Sequence, residues 1–421
     1  MPDGACVVAR VPVYGTRDAG RGFWLKLENV ISDVGLVQNS VMPAFFSYAV
    51  DGVIKVLLCT HVDDIIWAND PDCDWMIDKI LSVFDVGKVE ERNFRYCGCE
   101  ISQSEDFTIN VTCIDNTEKI EPIKYAPGRK LTEPCSDQEK SQLLSVVGSL
   151  AWIARMCRPD LSYRVSRLQS RSKKALVREL KEANIVLDYA LQDSKTGLRF
   201  TPQLDWDNAV LTTVSDASFA QEQDIVGDET VHDRSQKGFL QVLANSSVID
   251  GDGGVFSPLA FGSTVIKRVC RATLQAETYG LSGAQERGFR LRAVIAGARG
   301  VLDMKNWEST SCKSMRHLWI TDCKSLEEHL VKESMSKIDD KRLSIELSAL
   351  RQLIWERDGV KTESIDKTSG DMVRWIDTSV MLADPLTKAM KADALLTALS
   401  TNFMTFIATA ESVLRKVKRS K

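Results

Sequence analysis

In the first hundred residues the spacing of apolar positions changes repeatedly, and each change predicts a new element. In "FWLKLENVISDVGL" the apolar residues Phe23, Leu25, Leu27, Val30 and Ile31 fall at helical spacing before a glycine stop. "SYAVDGVIKVLLCTHVDDIIWA" reads as strand, Asp-Gly turn, strand, acidic turn and strand. "DWMIDKILSVFDVG" predicts a short amphipathic helix ended by Gly87. From 112 to 140 the chain is polar and turn-rich, as a connector would be. "LLSVVGSLAWIARMCRPDLSYRVSRLQSRS" then predicts helix broken at Arg158-Pro159-Asp160, and "VRELKEANIVLDYALQD" a further helix.

A different pattern begins near residue 209. "AVLTTVSDASFA", "KGFLQVLANSSVI" and "VFSPLAFGST" predict three strands, the last two joined through "DGDGG". "RATLQAETYGLSGAQERGFRLRAVIAGA" predicts a long helix. "MRHLWITDCKSLEEHL" predicts strand then helix, "DDKRLSIELSALRQLIWERDG" a long helix, and "DMVRWIDTSVMLADPLTKAM" strand then helix. Strands followed by alternating strands and helices describe an α/β chain, a mixed sheet covered by helices. No internal repeat is found, and the basic end "VLRKVKRSK" reads as a frayed tail.

Composition narrows the classes. The 421 residues suit two to three domains, and 44 % hydrophobic with 27 % charged residues is ordinary for a globular protein. A net charge of −4 excludes a uniformly basic nucleic-acid binder but not local basic strips. The eleven cysteines are scattered; only Cys97 and Cys99 are closely spaced, a weak metal signal, so reduced thiols in an intracellular protein (cytoplasmic or nuclear) are expected. No apolar run is long enough to span a membrane, so no membrane partner is expected.

The candidate chemistry is carboxylate chemistry. Adjacent Asp63 and Asp64, between two predicted strands, repel each other unless a divalent cation covers them. Further on, a period of two puts Asp216 on the side of Val210, Thr212 and Val214, and Asp322 on the side of Leu318 and Ile320. Glu277 falls on the helical stripe of Leu274, Leu281, Ala284, Leu291 and Ile295. Each Asp alone reads more simply as a cap, and so does Asp384 before Pro385. A core-facing Glu277 is harder to explain that way, because it is costly to bury without a partner.

Taken in order, strand-Asp, helix-Glu, strand-Asp, helix-Asp resembles the ribonuclease H fold, and more closely the ribonuclease H domain of Ty1/copia-type retrotransposon Pol proteins. The residues that carry the resemblance are "SDASFA", "RSQKGF", "CRATLQAET", "WITDCKSL" and "LADPLTK". Upstream, "GSLAWIARMCRPDLSYRVSRLQS" resembles the segment joining polymerase to nuclease, "VYGTRDAGRGFW" looks like "YGLKQAPRxW", and "HVDD" is similar to "YVDD". The resemblance implies a partial reverse transcriptase palm over 1–111, a thumb or connection-like helical segment over 112–205, a ribonuclease H-like mixed sheet flanked by helices over 206–400, and a C-terminal helix and tail over 401–421.

It also implies an enzyme that hydrolyses the RNA strand of RNA–DNA hybrids with two Mg²⁺ ions, Mn²⁺ substituting, held by Asp216, Glu277, Asp322 and Asp384. Arg234, Lys237, Lys267, Arg268 and Arg271 are the candidate nucleic-acid contacts, though each reads equally as a solvated edge. Other Pol chains are a further expected partner. The sequence departs from the pattern at Gln275, where the family has Glu, and at His61, where it has Tyr; no histidine follows His329. A polymerase also needs a third aspartate upstream, and Asp3 precedes "GACVV" instead of ending a strand. "HVDD" is therefore expected to be a palm remnant whose first part lies outside this chain, with Asp63 and Asp64 binding cation weakly and DNA synthesis lost. The alternative to a working nuclease is an inactive relic that only binds nucleic acid.

Overall fold

A computed structural model describes residues 15–226, 229–334, 337–357, 360–361 and 370–407. Asp3, the first residues of the "VYG" segment and the tail beyond 407 lie outside the described residues. The chain packs as two compact units, residues up to Glu91 with Arg290–Ser314, and Arg92–Phe289 with the chain from Met315 onward.

In the first unit α1 (Ala19–Asp33) and α2 (Asp74–Leu81) flank an antiparallel sheet of β1 (Val37–Gln38), β2 (Phe45–Val50), β3 (Val53–His61) and β4 (Asp64–Asn69), ordered as in the chain. Asp51 and Gly52 both take positive φ, 52° and 79°, which is what a two-residue hairpin turn demands. Leu27 and Ile31 of α1 are buried with Phe46, Val56, Leu58 and Ile80, while Phe23 and Leu25 lie at the rim, so the apolar stripe is narrower than the spacing suggested. α2 stops at Leu81, ahead of Gly87, because the amides of Val83 and Phe84 turn back onto Ile80 and Leu81 and tighten the last turn.

The second unit opens with strands absent from the sequence reading. β5 (Asn93–Tyr96), β6 (Cys99–Gln103) and β7 (Ile109–Thr112) lead to α3 (Ile114–Glu118), α4 (Asp137–Met156), α5 (Ser162–Arg171) and α6 (Val177–Gln192). β8 (Leu198–Phe200) then closes an antiparallel sheet β5-β6-β7-β8, so the boundary expected at 111 falls within a strand. Ser136 and Glu139 form a reciprocal capping box that starts α4. Arg158-Pro159-Asp160 breaks the helix as the proline predicts, and its ion pair is almost fully buried. The Cys113 thiol lies 3.6 Å from Cys99 and 3.0 Å from Cys157 in the helical core, where burial and mutual contact make all three small apolar fillers.

β9 (Val210–Val226), β10 (Glu229–Ala244) and β11 (Gly254–Val265) form the antiparallel half of a six-stranded sheet. There follow α7 (Thr273–Ala298), α8 (Trp307–Ser314, packed with the first unit), β12 (His317–Thr321), α9 (Lys324–Val331) and α10 (Lys341–Trp355). The short pair β13 (Glu356–Arg357) and β14 (Val360–Lys361) precedes β15 (Met372–Trp375), α11 (Asp393–Thr401) and β16 (Phe403–Met404). The sheet order is β15-β12-β9-β10-β11-β16, with β12 parallel to both β9 and β15. This is the expected α/β arrangement. Two expectations differ from the structure: Phe403–Met404, in the segment expected as C-terminal helix, forms β16 against β11, and "ADPLTKAM" does not begin a helix. Asp384–Leu386 is a single 3₁₀ turn, because the Lys388 side chain folds back onto Asp384 and the Thr387 hydroxyl onto Asp216.

Candidate metal centre

Asp216 stands in the middle of the sheet. β9 is buried on both faces here, and the carboxyl is 1 % exposed. The parallel register of β12, with Ile320 beside Val214, carries Asp322 to the level of Asp216 two residues later. Two glycines admit the remaining acids. A Cβ on Gly280, one turn past Glu277 in α7, would meet Ala217 Cβ at 3.3 Å, so its absence lets the helix close onto the strand at Asp216. Gly238, paired with Asp216 across β10, has Leu386 so close that a Cβ would stand 2.5 Å from Leu386 Cβ. That contact seats the Asp384 turn against the sheet.

Asp216, Asp322 and Asp384 consequently offer carboxylate oxygens that lie within 4.8 Å of one another. Glu277, 6 % exposed, stands behind them and is outside that triad. Burial raises the pKa of Glu277 well above the ordinary value, and the charges of Asp216 and Asp322 raise it further. Burial likewise raises Asp216, against the opposing effect of Lys388. Asp384 is pushed up to about 6 by burial and by Asp216. Acids crowded this way gain from an added cation, and hard oxygen donors suit Mg²⁺ or Mn²⁺, so the donor set fits a divalent ion.

The sequence reading missed two neighbours. Lys388 Nζ lies 2.5 Å from Asp384 Oδ1 and 3.3 Å from Asp216 Oδ1. The Thr387 hydroxyl donates to Asp216 Oδ2. Both residues stand in "LADPLTK", and the signal was available: a helix placing Asp384 and Lys388 four apart pairs them. Trp375 was also missed; it is 40 % exposed, and its indole N–H donates to the Asp322 carbonyl at 2.9 Å.

Other candidates fare differently. Asp63 and Asp64 are exposed at the tip of the β3–β4 hairpin, where Val62 has φ 59°. Among the described residues they belong to no group of three potential metal ligands. Lys267 and Arg271 are exposed, and Arg268 pairs with Glu346 at 3.0 Å while covering the Tyr279 ring. Lys237 is half-buried, its pKa lowered by burial and by Arg287, and Arg234 is half-buried on β10. The departure at Gln275 has a structural use: its amide donates to Asp340, the cap of α10, which a glutamate could not do.

Gly238→Ala tests the seating of the turn. It is expected to weaken Mn²⁺ binding by roughly 10–100-fold, the range for lost support around a metal site, as read by titration on folded protein. Unchanged affinity would mean that the Asp384 turn is held elsewhere.

No protein-family model matches the chain. The Retrovirus-related Pol polyprotein from transposon RE1 of Arabidopsis thaliana is 26 % identical over 287 residues, 64 % of this chain. The match spans only 18 % of that polyprotein's length. The transposon Ty5-1 protein of Saccharomyces cerevisiae is 24 % identical over 255 residues, 56 % of this chain and 78 % of its own. A solved N-terminal RNase H domain from Mycobacterium tuberculosis, fused to maltose-binding protein, is 15 % identical. It covers 46 % of this chain and 98 % of its own at a TM-score of 0.25, too low to bear on the fold.

Proposed function

We propose, from the chain's similarity to a retrovirus-related Pol polyprotein and a transposon Ty5-1 protein, that it is a Pol fragment whose residues 206–400 hydrolyse the RNA strand of RNA–DNA hybrids. The observation that carries this reading is the convergence of Asp216, Asp322 and Asp384, with Glu277 behind them, at the junction of parallel and antiparallel strands. These four residues would hold Mg²⁺ or Mn²⁺. When bound, divalent ions make a water nucleophilic at neutral pH and stabilise the departing oxygen of a phosphodiester.

The chain's own residues do the rest. Thr387 orients Asp216 by donating to it, and Gly238 and Gly280 fix the distances between the acids. Exposed Lys267 and Arg271 supply charge for a phosphate backbone, in the loop that enters the Glu277 helix. Among the described residues no helix is long and apolar enough to cross a membrane.

The sign of the pH dependence follows from Asp384. Its folded-state pKa of about 6 lies above the ordinary carboxylate value, so the folded chain favours the proton. That contribution to stability is lost as pH rises toward 6, where the carboxylate ionises among like charges. A divalent ion restores it only once the acids are ionised. Mn²⁺ at about 100 times its Kd is therefore expected to raise Tm by roughly 5 °C or more at pH 7.5. At pH 5.5, where protons compete for Asp384, the shift should be smaller. Equal shifts at both pH values would place the ion away from these acids. The nuclease reading itself is tested by cleavage of a hybrid labelled on the RNA strand, with the same DNA duplex as control.

A further inference from the structure

The acid cluster already contains a cation of its own. Lys388 Nζ touches Oδ1 of both Asp216 and Asp384, at 3.3 and 2.5 Å. These are oxygens that an ion bridging those two acids would need. The other oxygen of Asp216 is taken by the Thr387 hydroxyl.

Nor is the lysine carried on a loose segment. The carbonyl of Leu386 accepts from the Ser263 hydroxyl, and Ser263 accepts from Gln236 Nε2 at 2.7 Å. Gln236 is 1 % exposed and also donates to Ser166 of α5 at 3.0 Å. The backbone that presents Lys388 is therefore tied to β10, β11 and α5. Of the three triad members, Asp322 is the one that Lys388 does not touch.

We propose that the Lys388 ammonium permanently holds the position between Asp216 and Asp384, so that the cluster takes one divalent ion where the motif pattern implies two. This deepens the metal-dependent reading of the same site and rests on it. A fixed positive charge there repels a second dication and competes with it for the same oxygens.

The test is Mn²⁺ stoichiometry, by calorimetric titration and electron paramagnetic resonance, on the full chain and on Lys388→Met and Lys388→Arg, with folding checked by circular dichroism. One ion is expected on the wild type and on Lys388→Arg, and two on Lys388→Met, the pair coupled in the resonance spectrum. Two ions on the wild type would overturn the proposal, and so would one ion on a folded Lys388→Met. If Lys388→Met does not fold, the wild-type and Lys388→Arg counts decide, since each must be one. No bound Mn²⁺ on any of the three would instead overturn the metal reading on which the proposal stands.

Discussion

Arg158→Met is expected to cost about 3–5 kcal/mol of folding stability, the range for breaking a buried ion pair by removing one partner. The guanidinium donates to both oxygens of Asp160, at 3.0 and 2.8 Å, and to the carbonyl of Asp193 at 3.0 Å. The two side chains are 2 % and 0 % exposed, so no water can replace the lost partner. Burial opposes the charge on Arg158, and Asp160 overcomes that opposition. Removing the arginine leaves the buried Asp160 carboxylate without its counter-charge. Such a loss is a large fraction of the ~5–15 kcal/mol that holds a typical domain, so soluble yield should fall as well. The double variant Arg158→Met with Asp160→Leu separates the charge from the shape. It should recover most of the stability, because an apolar pair of similar volume is often neutral there. Urea unfolding of the three chains decides, and equal stability of wild type and Arg158→Met would show the pair to be inert.

In the six-stranded sheet, β9, β10 and β11, with α7 and α10, were legible because each is long and bounded by turn residues, whereas the two-residue β16 lies in a segment read as helix. The small sheet β5-β6-β7-β8 was not. Its strands span three to five residues, and β8 returns to β7 across four helices, a pairing no local period announces. At the site, Glu277 stood out from periodicity alone, while Asp216, Asp322 and Asp384 were readable only as members of an ordered set. Thr387 and Lys388 were quoted within a motif yet given no role, because their contacts to Asp216 depend on how the segment folds against the sheet. Gly238 and Gly280 gave no signal in one sequence. A glycine's part in close approach appears only when the element opposite it is placed. For Asp63 and Asp64 the pairing of His61 with Asp64 makes a tight, exposed hairpin tip, and a turn accounts for an acid there without an ion.

Asp216→Asn carries the largest expected effect on activity. Asp216 is the central member of the cluster: Thr387 and Lys388 both bond to it, and its charge raises the pKa of Glu277 and Asp384. The amide keeps an oxygen for the Thr387 hydroxyl but removes the charge that would hold an ion. Burial already disfavours ionised Asp216, so the variant should fold at least as stably as the wild type without metal. The metal's several kcal/mol of transition-state stabilisation would go with the charge, a loss of ~10³-fold or more in rate.

The first measurement is therefore cleavage of an RNA–DNA hybrid labelled on the RNA strand, with Mg²⁺ or Mn²⁺, by the wild type beside Asp216→Asn. Metal-dependent cutting of the RNA strand by the wild type, abolished in a folded Asp216→Asn, is the expected result. Cutting that survives the substitution, or none by well-folded wild type with either metal, would contradict a nuclease built on this acid cluster.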